Sequence, residues 1–213
     1  VLFRSALRQH SLEVYDNGFI PEGSSLEGYN ASRMEGAVPF ERVVDIANIA
    51  SERDEQHLSR LIEALEDPSE PVRWWAAQGC AILRDRARTA QTALFKHLKD
   101  PSGAVRVAAA EALLYVGGDT QALSALEEVL GDKSNNGSAL LAANVFSRMG
   151  EKARPSLPAL KRALIDFESA YQRNGEDKYG PRYPVDILRK TISILEGESM
   201  PLVYPPAATA HSL

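Results

Sequence analysis

The sequence lacks several features that would mark common classes of protein. Among 213 residues there is a single cysteine, Cys80, so no intrachain disulfide can form. No apolar run approaches the roughly 20 residues that a membrane-spanning helix needs. Acidic residues outnumber basic ones, 29 to 24, and the formal net charge is −5. Because non-specific binding to nucleic acid or to a membrane surface needs a positive field, the sequence predicts neither partner.

Residues that could build a catalytic or metal centre are equally sparse. The four histidines lie far apart along the chain, without metal-ligand spacing, at His10, His57, His97 and His211. The sequence therefore predicts no metal, no cofactor and no catalytic residue in this chain.

What the sequence does contain is a pattern, Leu-x-x-x-Leu-x-Asp, that occurs four times. Its copies begin at Leu61, Leu94, Leu126 and Leu160, with spacings of 33, 32 and 34 residues. A fixed period in this range is typical of stacked helical repeats, each of which needs its neighbours to bury its apolar face. We therefore predict an all-α fold, a right-handed helical solenoid (α/α superhelix) preceded by an extended wrapping segment. Cys80 aligns with Leu113 of the next repeat, which indicates a buried core residue and not a nucleophile.

The chain divides into four predicted segments. We expect residues 1–5, Val-Leu-Phe-Arg-Ser, to be an assembly artefact, because a common DNA-sequencing adapter encodes them in one reading frame; a trimmed or mature N-terminus is the alternative. Residues 6–39 are predicted to hold a helix end and then the wrapping segment, where glycine and proline break any helical period. Residues 40–197 are predicted to form the repeats, and residues 198–213 a proline-rich extended tail.

Apolar spacing within the repeat region predicts its helices. A first helix over about 40–52 is followed by hairpins over 55–66 and 70–84, 87–99 and 102–117, and 119–131 and 136–149, then by helices ending near 173 and spanning 184–196. Pro68 and Pro101 are expected to stop the first helix of their hairpins. Small residues such as Gly79 would let neighbouring helices approach closely. Gly117 and Gly150 are expected to end helices in the left-handed conformation.

A second motif recurs with the same period. Its copies are Asp67-Pro68-Ser69-x-x-Val72-Arg73 and Asp100-Pro101-Ser102-x-x-Val105-Arg106. This signature resembles HEAT repeats of the short bacterial kind. Each aspartate can accept N–H bonds at the start of the next helix, and each arginine can reach an aspartate of its own or the adjacent unit. We interpret Asp67, Arg73, Asp100 and Arg106 as a structural ladder, which should lapse in the third unit, where Gly137 and Ser138 replace the Val-Arg pair.

A broader resemblance covers about residues 6–170. Its elements, in chain order, are Asp16-Asn17-Gly18-Phe19-Ile20-Pro21-Glu22, Pro39-Phe40-Glu41-Arg42, and residues 72–79 and 105–113. Together they resemble the C-terminal region of a group of bacterial sulfatases of the alkaline-phosphatase-like superfamily, in which a catalytic α/β domain is followed by a wrapping segment and a HEAT-like tail. The resemblance implies a non-catalytic tail whose partner is the sulfatase catalytic domain in the same parent chain.

The same resemblance implies calcium, formylglycine and a periplasmic or secreted location for the parent enzyme. No catalytic residue carries over, because the family motif Cys/Ser-x-Pro/Ala-x-Arg is not matched at Cys80. Asp16, Phe19, Pro21 and Glu22 are expected at the contact with the catalytic domain. The apolar residues of segment 14–39 have no helical face of their own, and folding back onto the first repeats is the other way to bury them.

Other interpretations stay open. One is a free-standing HEAT scaffold that binds a protein partner on its surface. Another is a HEAT-like enzyme such as a DNA glycosylase, against which the pI of about 5.5 argues, or a bilin lyase, for which no residue here is distinctive. Trp74 and Trp75 should point to different faces of one helix, so one is expected in the core while Trp74 is a candidate for an exposed aromatic contact. A turn with Arg84, Arg86 and Arg88 is expected to be solvated, sulfate or phosphate binding being the alternative.

Overall fold

The computed structural model describes residues 40–132, 135–174 and 182–197. All regular elements in these ranges are helices, and none of these residues belongs to a β-strand. The predicted all-α fold of stacked helical hairpins is therefore confirmed. The described residues divide into two compact units, with the boundary between Ala122 and Leu123. The predicted artefact, wrapping segment and proline-rich tail lie outside the described residues and stay predictions, as does the handedness of the solenoid.

Nine α-helices and three 3₁₀ segments make up the described residues. The α-helices are α1 Phe40–Glu52, α2 Leu58–Ala64, α3 Glu70–Leu83, α4 Gln91–His97, α5 Gly103–Val116, α6 Asp119–Gly131, α7 Asn136–Met149, α8 Leu157–Asn174 and α9 Arg182–Glu196. The 3₁₀ segments are Glu55–His57, Arg84–Ala90 and Gly150–Ser156. Each lies immediately before the first helix of a hairpin, α2, α4 or α8. The periodicity of apolar residues therefore places these helices correctly, but it does not distinguish a 3₁₀ turn from an α-helix.

The expectation that Pro68 and Pro101 stop the first helices is wrong in its detail. α2 already ends at Ala64 and α4 at His97, so each proline lies beyond its helix. A tight turn closes the gap, since the amide of Asp67 donates to the carbonyl of Ala64 at 3.3 Å. Backbone hydrogen bonds therefore end each of these helices before the chain reaches the proline.

The first unit, residues 40–122, is built around α3, which packs against α1 on one side and α5 on the other. Gly79 of α3 marks the closest approach. A Cβ atom there would lie 2.8 Å from both Leu61 methyl groups and 3.1 Å from the Ala50 Cβ. The core of this unit includes seven fully buried large residues, Leu61, Leu65, Val72, Leu83, Leu94, Leu113 and Leu114. Small residues on α3 therefore permit a dense three-layer contact, as their spacing predicts.

The second unit, residues 123–197, buries Phe146, Leu160, Leu188 and Leu195 completely. Helix α9 packs against both α7 and α8. Two ion pairs join α8 to α9, Lys161 to Glu196 at 2.5 Å and Arg189 to Glu168 at 2.7 Å. The pairing of one helix start with the other helix end shows that α8 and α9 run antiparallel.

Three residues at the ends of second helices share a positive φ, and the repeat period relates them. Arg84, Gly117 and Gly150 lie 33 residues apart, with φ of 56°, 100° and 54°. Gly117 has the expected left-handed conformation, with ψ 25°. Gly150 ends its helix as expected, but the left-handed conformation predicted for it is wrong, because its ψ of −128° lies outside that region. Arg84 adopts the same strained pair of angles, φ 56° and ψ −128°, in a position where only glycine is comfortable.

At Arg84 we expect glycine to be better tolerated than alanine. Both substitutions remove the guanidinium, which lies 5.2 Å from the Tyr115 ring, but only glycine relieves the backbone strain. The Arg84→Gly variant should therefore be more stable than Arg84→Ala by about 1–2 kcal/mol, measured by urea unfolding. At exposed Glu128 within α6, the order should reverse, with alanine better by about 1 kcal/mol. The same order at both positions would contradict a strained Arg84.

Candidate functional site

The ladder of the first unit is built around the guanidinium of Arg73. Its Nε and Nη2 donate to the two carboxylate oxygens of Asp100 in the next hairpin, at 2.7 and 3.0 Å. Its Nη1 donates to the carbonyls of Asp67 and Pro68 in its own hairpin, at 2.9 and 3.0 Å. Only 12% of the Arg73 side chain and 2% of the Asp100 side chain are exposed. One planar group thus joins the turns of two successive hairpins, a role suited to arginine and not to lysine.

Each aspartate of the ladder also organises the start of the next helix. Asp67 Oδ1 accepts the Ser69 amide at 2.8 Å, and Asp100 Oδ1 accepts the Ser102 amide at 2.9 Å. Ser69 and Ser102 are the residues that precede α3 and α5. The Asp-Pro-Ser motif therefore shapes a turn that fixes where the second helix begins.

Arg106 repeats half of this arrangement. Its Nη1 donates to the carbonyls of Asp100 and Pro101, at 2.9 and 3.3 Å. Arg73 donates in the same way to the equivalent carbonyls of the preceding hairpin. Sequence reasoning missed the first member of the series, Arg42 of α1, which pairs with the Asp67 carboxylate. Arg42 lies 31 residues before Arg73 instead of 33, so the repeat period does not identify it.

The Asp100 carboxylate has three polar neighbours, Arg73, the Ser102 amide and His97. Burial opposes its ionisation, but hydrogen bonds from Arg73, the Ser102 amide and His97 outweigh that effect and hold the pKa of Asp100 below its usual value. The His97 Nδ1 lies 3.2 Å from Asp100 Oδ2. His97 Nε2 lies 3.5 Å from Glu66 Oε1, a contact too long for a good hydrogen bond. These groups join two hairpins, and the His97 and Asp100 side chains are buried between them while Glu66 stays exposed.

The two tryptophans lie side by side on α3. Their ring centroids are 4.9 Å apart and their planes meet at 77°, an edge-to-face arrangement. Both side chains are half-buried, so the expectation that one packs in the core is wrong. Ile82 lies on the same helix face as Trp75, seven residues on, and Tyr115 occupies the equivalent position of α5. We call the half-buried residues Trp74, Trp75, Ile82 and Tyr115 the aromatic surface.

The three arginines of the predicted basic turn are exposed at the C-terminal end of α3. Arg84 lies over the ring of Tyr115, and Arg86 Nη1 donates to the carbonyl of Arg53 at 3.1 Å. The turn therefore places one cationic group, Arg84, next to Tyr115 of the aromatic surface. Arginine, tyrosine and tryptophan are residue types that dominate protein-binding hot spots.

Cys80 lies in the interior of α3 with no exposed surface, and burial raises the pKa of its thiol to about 12. Because the thiolate is the reactive species, we expect folded protein to react with a thiol reagent roughly a thousandfold more slowly than unfolded protein near pH 8. Timed labelling with and without guanidinium checks this, with an exposed Thr92→Cys site as the fast control. Equal rates at the two sites in folded protein would overturn the assignment of Cys80 to the core.

Neither a metal-binding cluster nor a membrane-spanning helix is found among the described residues. No group of three or more His, Cys, Asp or Glu side chains in residues 40–132, 135–174 and 182–197 is placed to hold a metal ion. None of the helices in those ranges combines the length and hydrophobicity that crossing a bilayer requires. The expected domain-contact residues Asp16, Phe19, Pro21 and Glu22 lie outside the described residues.

Comparison with known proteins agrees with the helical hairpins. Residues 58–145 match the family model described as HEAT repeats. The match begins at α2 and extends into α7, so it covers the ladder and the aromatic surface. The resemblance of the Asp-Pro-Ser and Val-Arg signature to HEAT repeats is therefore confirmed. No curated protein matches the chain.

Proposed function

We propose that this chain is a non-catalytic scaffold whose HEAT-repeat region binds a protein domain through the aromatic surface. Stacked helical repeats commonly mediate protein interactions. The observation that carries the proposal is the half-buried pair Trp74 and Trp75, held on a helix that the ladder fixes at its start. Tryptophan offers a large contact area at a small cost in conformational entropy, and it is enriched at the centres of protein interfaces.

A finer proposal names the partner as a sulfatase catalytic domain in the same parent chain. It is supported by the sequence resemblance over about residues 6–170, with the motif around Phe19 and Pro21 ahead of the repeats. On this proposal residues 40–197 pack on the sulfuric-ester hydrolase domain or shape access to it. Calcium and formylglycine belong to that domain, in a periplasmic or secreted parent, and this chain contributes neither a catalytic residue nor a cofactor ligand.

Sequencing the coding DNA upstream of residue 6 tests the finer proposal. An open reading frame that continues into a Cys/Ser-x-Pro/Ala-x-Arg motif supports it. A start codon or signal peptide directly before residue 6 overturns it and leaves a free-standing scaffold. If the frame continues, deletion of residues 14–37 from the full-length enzyme should lower its thermal stability, and unchanged stability would remove the predicted contact of Phe19 and Pro21.

The scaffold proposal is tested separately, by using matched variants of the chain as bait in the native host. Wild-type protein and Ile194→Ala, which alters an exposed residue of α9 (52% exposed), should retain the same partner. Trp74→Ala should lose it, with an affinity at least about tenfold weaker, while circular dichroism shows an intact fold. A partner that binds all three baits equally, or none of them, would contradict binding at the aromatic surface.

A further inference from the structure

Ile165 of α8 is the most exposed large apolar side chain among the described residues. It is 63% exposed, compared with 52% for Ile194 and 37% for Leu141. A single exposed isoleucine is common on protein surfaces, and it is the charges near Ile165 that distinguish it. Lys161 and Glu168 lie four residues before it and three residues after it, on the same stripe of the helix. This stripe of α8 therefore carries a cation, an exposed isoleucine and an anion, in that order.

An ion pair to α9 lies at each end of this stripe. Lys161 pairs with Glu196 at 2.5 Å, and Glu168 pairs with Arg189 at 2.7 Å. Because α8 and α9 run antiparallel, the charges alternate in sign both along each helix and across the seam. The four charged side chains are between 29% and 57% exposed, so they can make further contacts. We call these four residues and Ile165 the α8–α9 face, and its net charge is zero.

The α8–α9 face is complementary to itself. A two-fold axis at Ile165, perpendicular to α8 and in the plane of the interface, places α8 of a second copy antiparallel to α8 of the first. Ile165 then meets Ile165 of the second copy, Lys161 lies opposite Glu168, and Glu196 lies opposite Arg189. Each charged contact between the copies therefore joins opposite charges around an apolar centre. A partner that carries a strong charge of one sign finds no such match on a face without net charge.

We propose that the α8–α9 face is a two-fold interface with a second copy of this chain, centred on Ile165. This inference goes beyond the scaffold function, because the face belongs to the second unit and the aromatic surface to the first. A dimer presents two aromatic surfaces at once, which strengthens binding to a partner that offers two sites.

The size of the face predicts a weak dimer. Helix α8 has 18 residues and is therefore about 27 Å long, and two helices side by side are about 20 Å wide. The face thus offers roughly 500 Å² from each copy, or about 1,000 Å² in total, the lower limit for a specific interface. We expect sedimentation velocity of the full chain to show a mass that rises with concentration, from 23.3 kDa towards twice that value. High salt should lower the dimer fraction.

Exchanging the charges of one ion pair at a time tests the alignment of the two copies. Lys161→Glu with Glu196→Lys keeps an ion pair within the chain but makes the α8 stripe acidic at both ends. Glu168→Lys with Arg189→Glu makes the stripe basic at both ends. Each exchanged variant should dimerise at least about tenfold more weakly than wild type, because like charges then face each other across the axis. An equimolar mixture of the two variants should dimerise again, because an acidic α8 then faces a basic one.

A matched pair of isoleucine variants tests the apolar centre. Ile165→Glu should weaken the dimer at least about tenfold. Ile194→Glu should not, because Ile194 is also exposed but lies on a different side of α9 from Arg189 and Glu196. Circular dichroism and thermal melts verify that each variant remains folded.

Three results would overturn the inference. They are a wild-type chain that stays monomeric at every concentration, exchanged variants that dimerise as tightly as wild type, and a mixture of the two variants that stays monomeric. Trp74→Ala should dimerise like wild type, since Trp74 belongs to the other unit. The scaffold proposal, which is tested by loss of the partner in Trp74→Ala, therefore stands or falls separately from the dimer.

Discussion

Replacing Asp100 with alanine should lower the free energy of unfolding by about 3–5 kcal/mol, a large share of the roughly 5–15 kcal/mol that is typical of a folded domain. The substitution removes both acceptors of the Arg73 Nε and Nη2 bonds and leaves a guanidinium with 12% exposure without its counter-charge. It also removes the acceptor for the Ser102 amide at the start of α5. Chemical denaturation followed by circular dichroism measures the loss.

Two other aspartates serve as controls for burial. Asp45 pairs with Arg60 at 2.8 Å, but both side chains are more than half exposed, so Asp45→Ala should cost under about 1 kcal/mol. Asp67 is 7% exposed and its partner Arg42 is 52% exposed, so Asp67→Ala should fall between the two. Equal losses for Asp45→Ala and Asp100→Ala would show that the buried pair adds nothing beyond a surface pair.

The same carboxylate makes the first unit sensitive to acid. The folded-state pKa of Asp100 lies below its usual value of 3.8, so its contribution to stability is complete above that value and is lost as pH falls through the folded pKa. In an Asp100→Asn variant that contribution is absent at every pH. The stability difference between wild type and Asp100→Asn should therefore be constant above about pH 5 and shrink below pH 4. A difference that grows on acidification would contradict this sign.

Truncating Leu61 to alanine should cost about 2–5 kcal/mol, because the residue is 1% exposed and its removal leaves a cavity between α2 and α3. The more specific expectation concerns its neighbour Gly79. In wild-type protein Gly79→Ala would place a Cβ 2.8 Å from both Leu61 methyl groups, and overpacking should cost about 1–3 kcal/mol. In the Leu61→Ala background those methyl groups are gone and only the closer approach to the Ala50 Cβ, at 3.1 Å, remains. The better helix propensity of alanine, about 1 kcal/mol, should then offset most of the cost of that contact.

The two substitutions should therefore be strongly non-additive, with the double variant more stable than the sum of the single losses predicts by about 2 kcal/mol. Urea unfolding of the four proteins in the cycle measures this coupling. Pairing Gly79→Ala with Leu160→Ala in the second unit provides the matched control, since Leu160 is also completely buried but belongs to the other unit. Additivity in the first cycle would contradict the contact between Gly79 and Leu61.

Much of this fold could be predicted because repetition makes local signals mutually consistent. Apolar spacing placed α1, α6 and α7 at their observed bounds, Phe40–Glu52, Asp119–Gly131 and Asn136–Met149. The 3₁₀ segments were missed, because an apolar residue every three or four positions suits both kinds of helix. The ends of α2 and α4 were misplaced because backbone hydrogen bonds close those turns before the prolines are reached.

The candidate site was only partly accessible to sequence reasoning. The members of the ladder were recognisable from their period, but the choice of Asp100 as the partner of Arg73 depends on how far one hairpin is displaced from the next, which no local pattern encodes. Trp74 and Trp75 were expected to divide between core and surface, since adjacent residues differ by about 100° around a helix. Both are half-buried because α3 has neighbours on both sides and only a narrow open face.

The hydrogen bonds that the Arg73 guanidinium makes to two successive hairpins affect how cooperatively the first unit unfolds. In repeat proteins the sharpness of unfolding depends on the coupling between neighbours relative to the stability of each repeat alone. The Arg73 guanidinium bonds the turn carbonyls of one hairpin and the carboxylate of the next. Partly unfolded states are therefore high in free energy, because unfolding one hairpin leaves buried polar atoms of both hairpins without hydrogen bonds. The α2–α3 and α4–α5 hairpins should accordingly unfold as one cooperative block. Local unfolding should begin at helices that no bridging guanidinium of this kind joins to a neighbour.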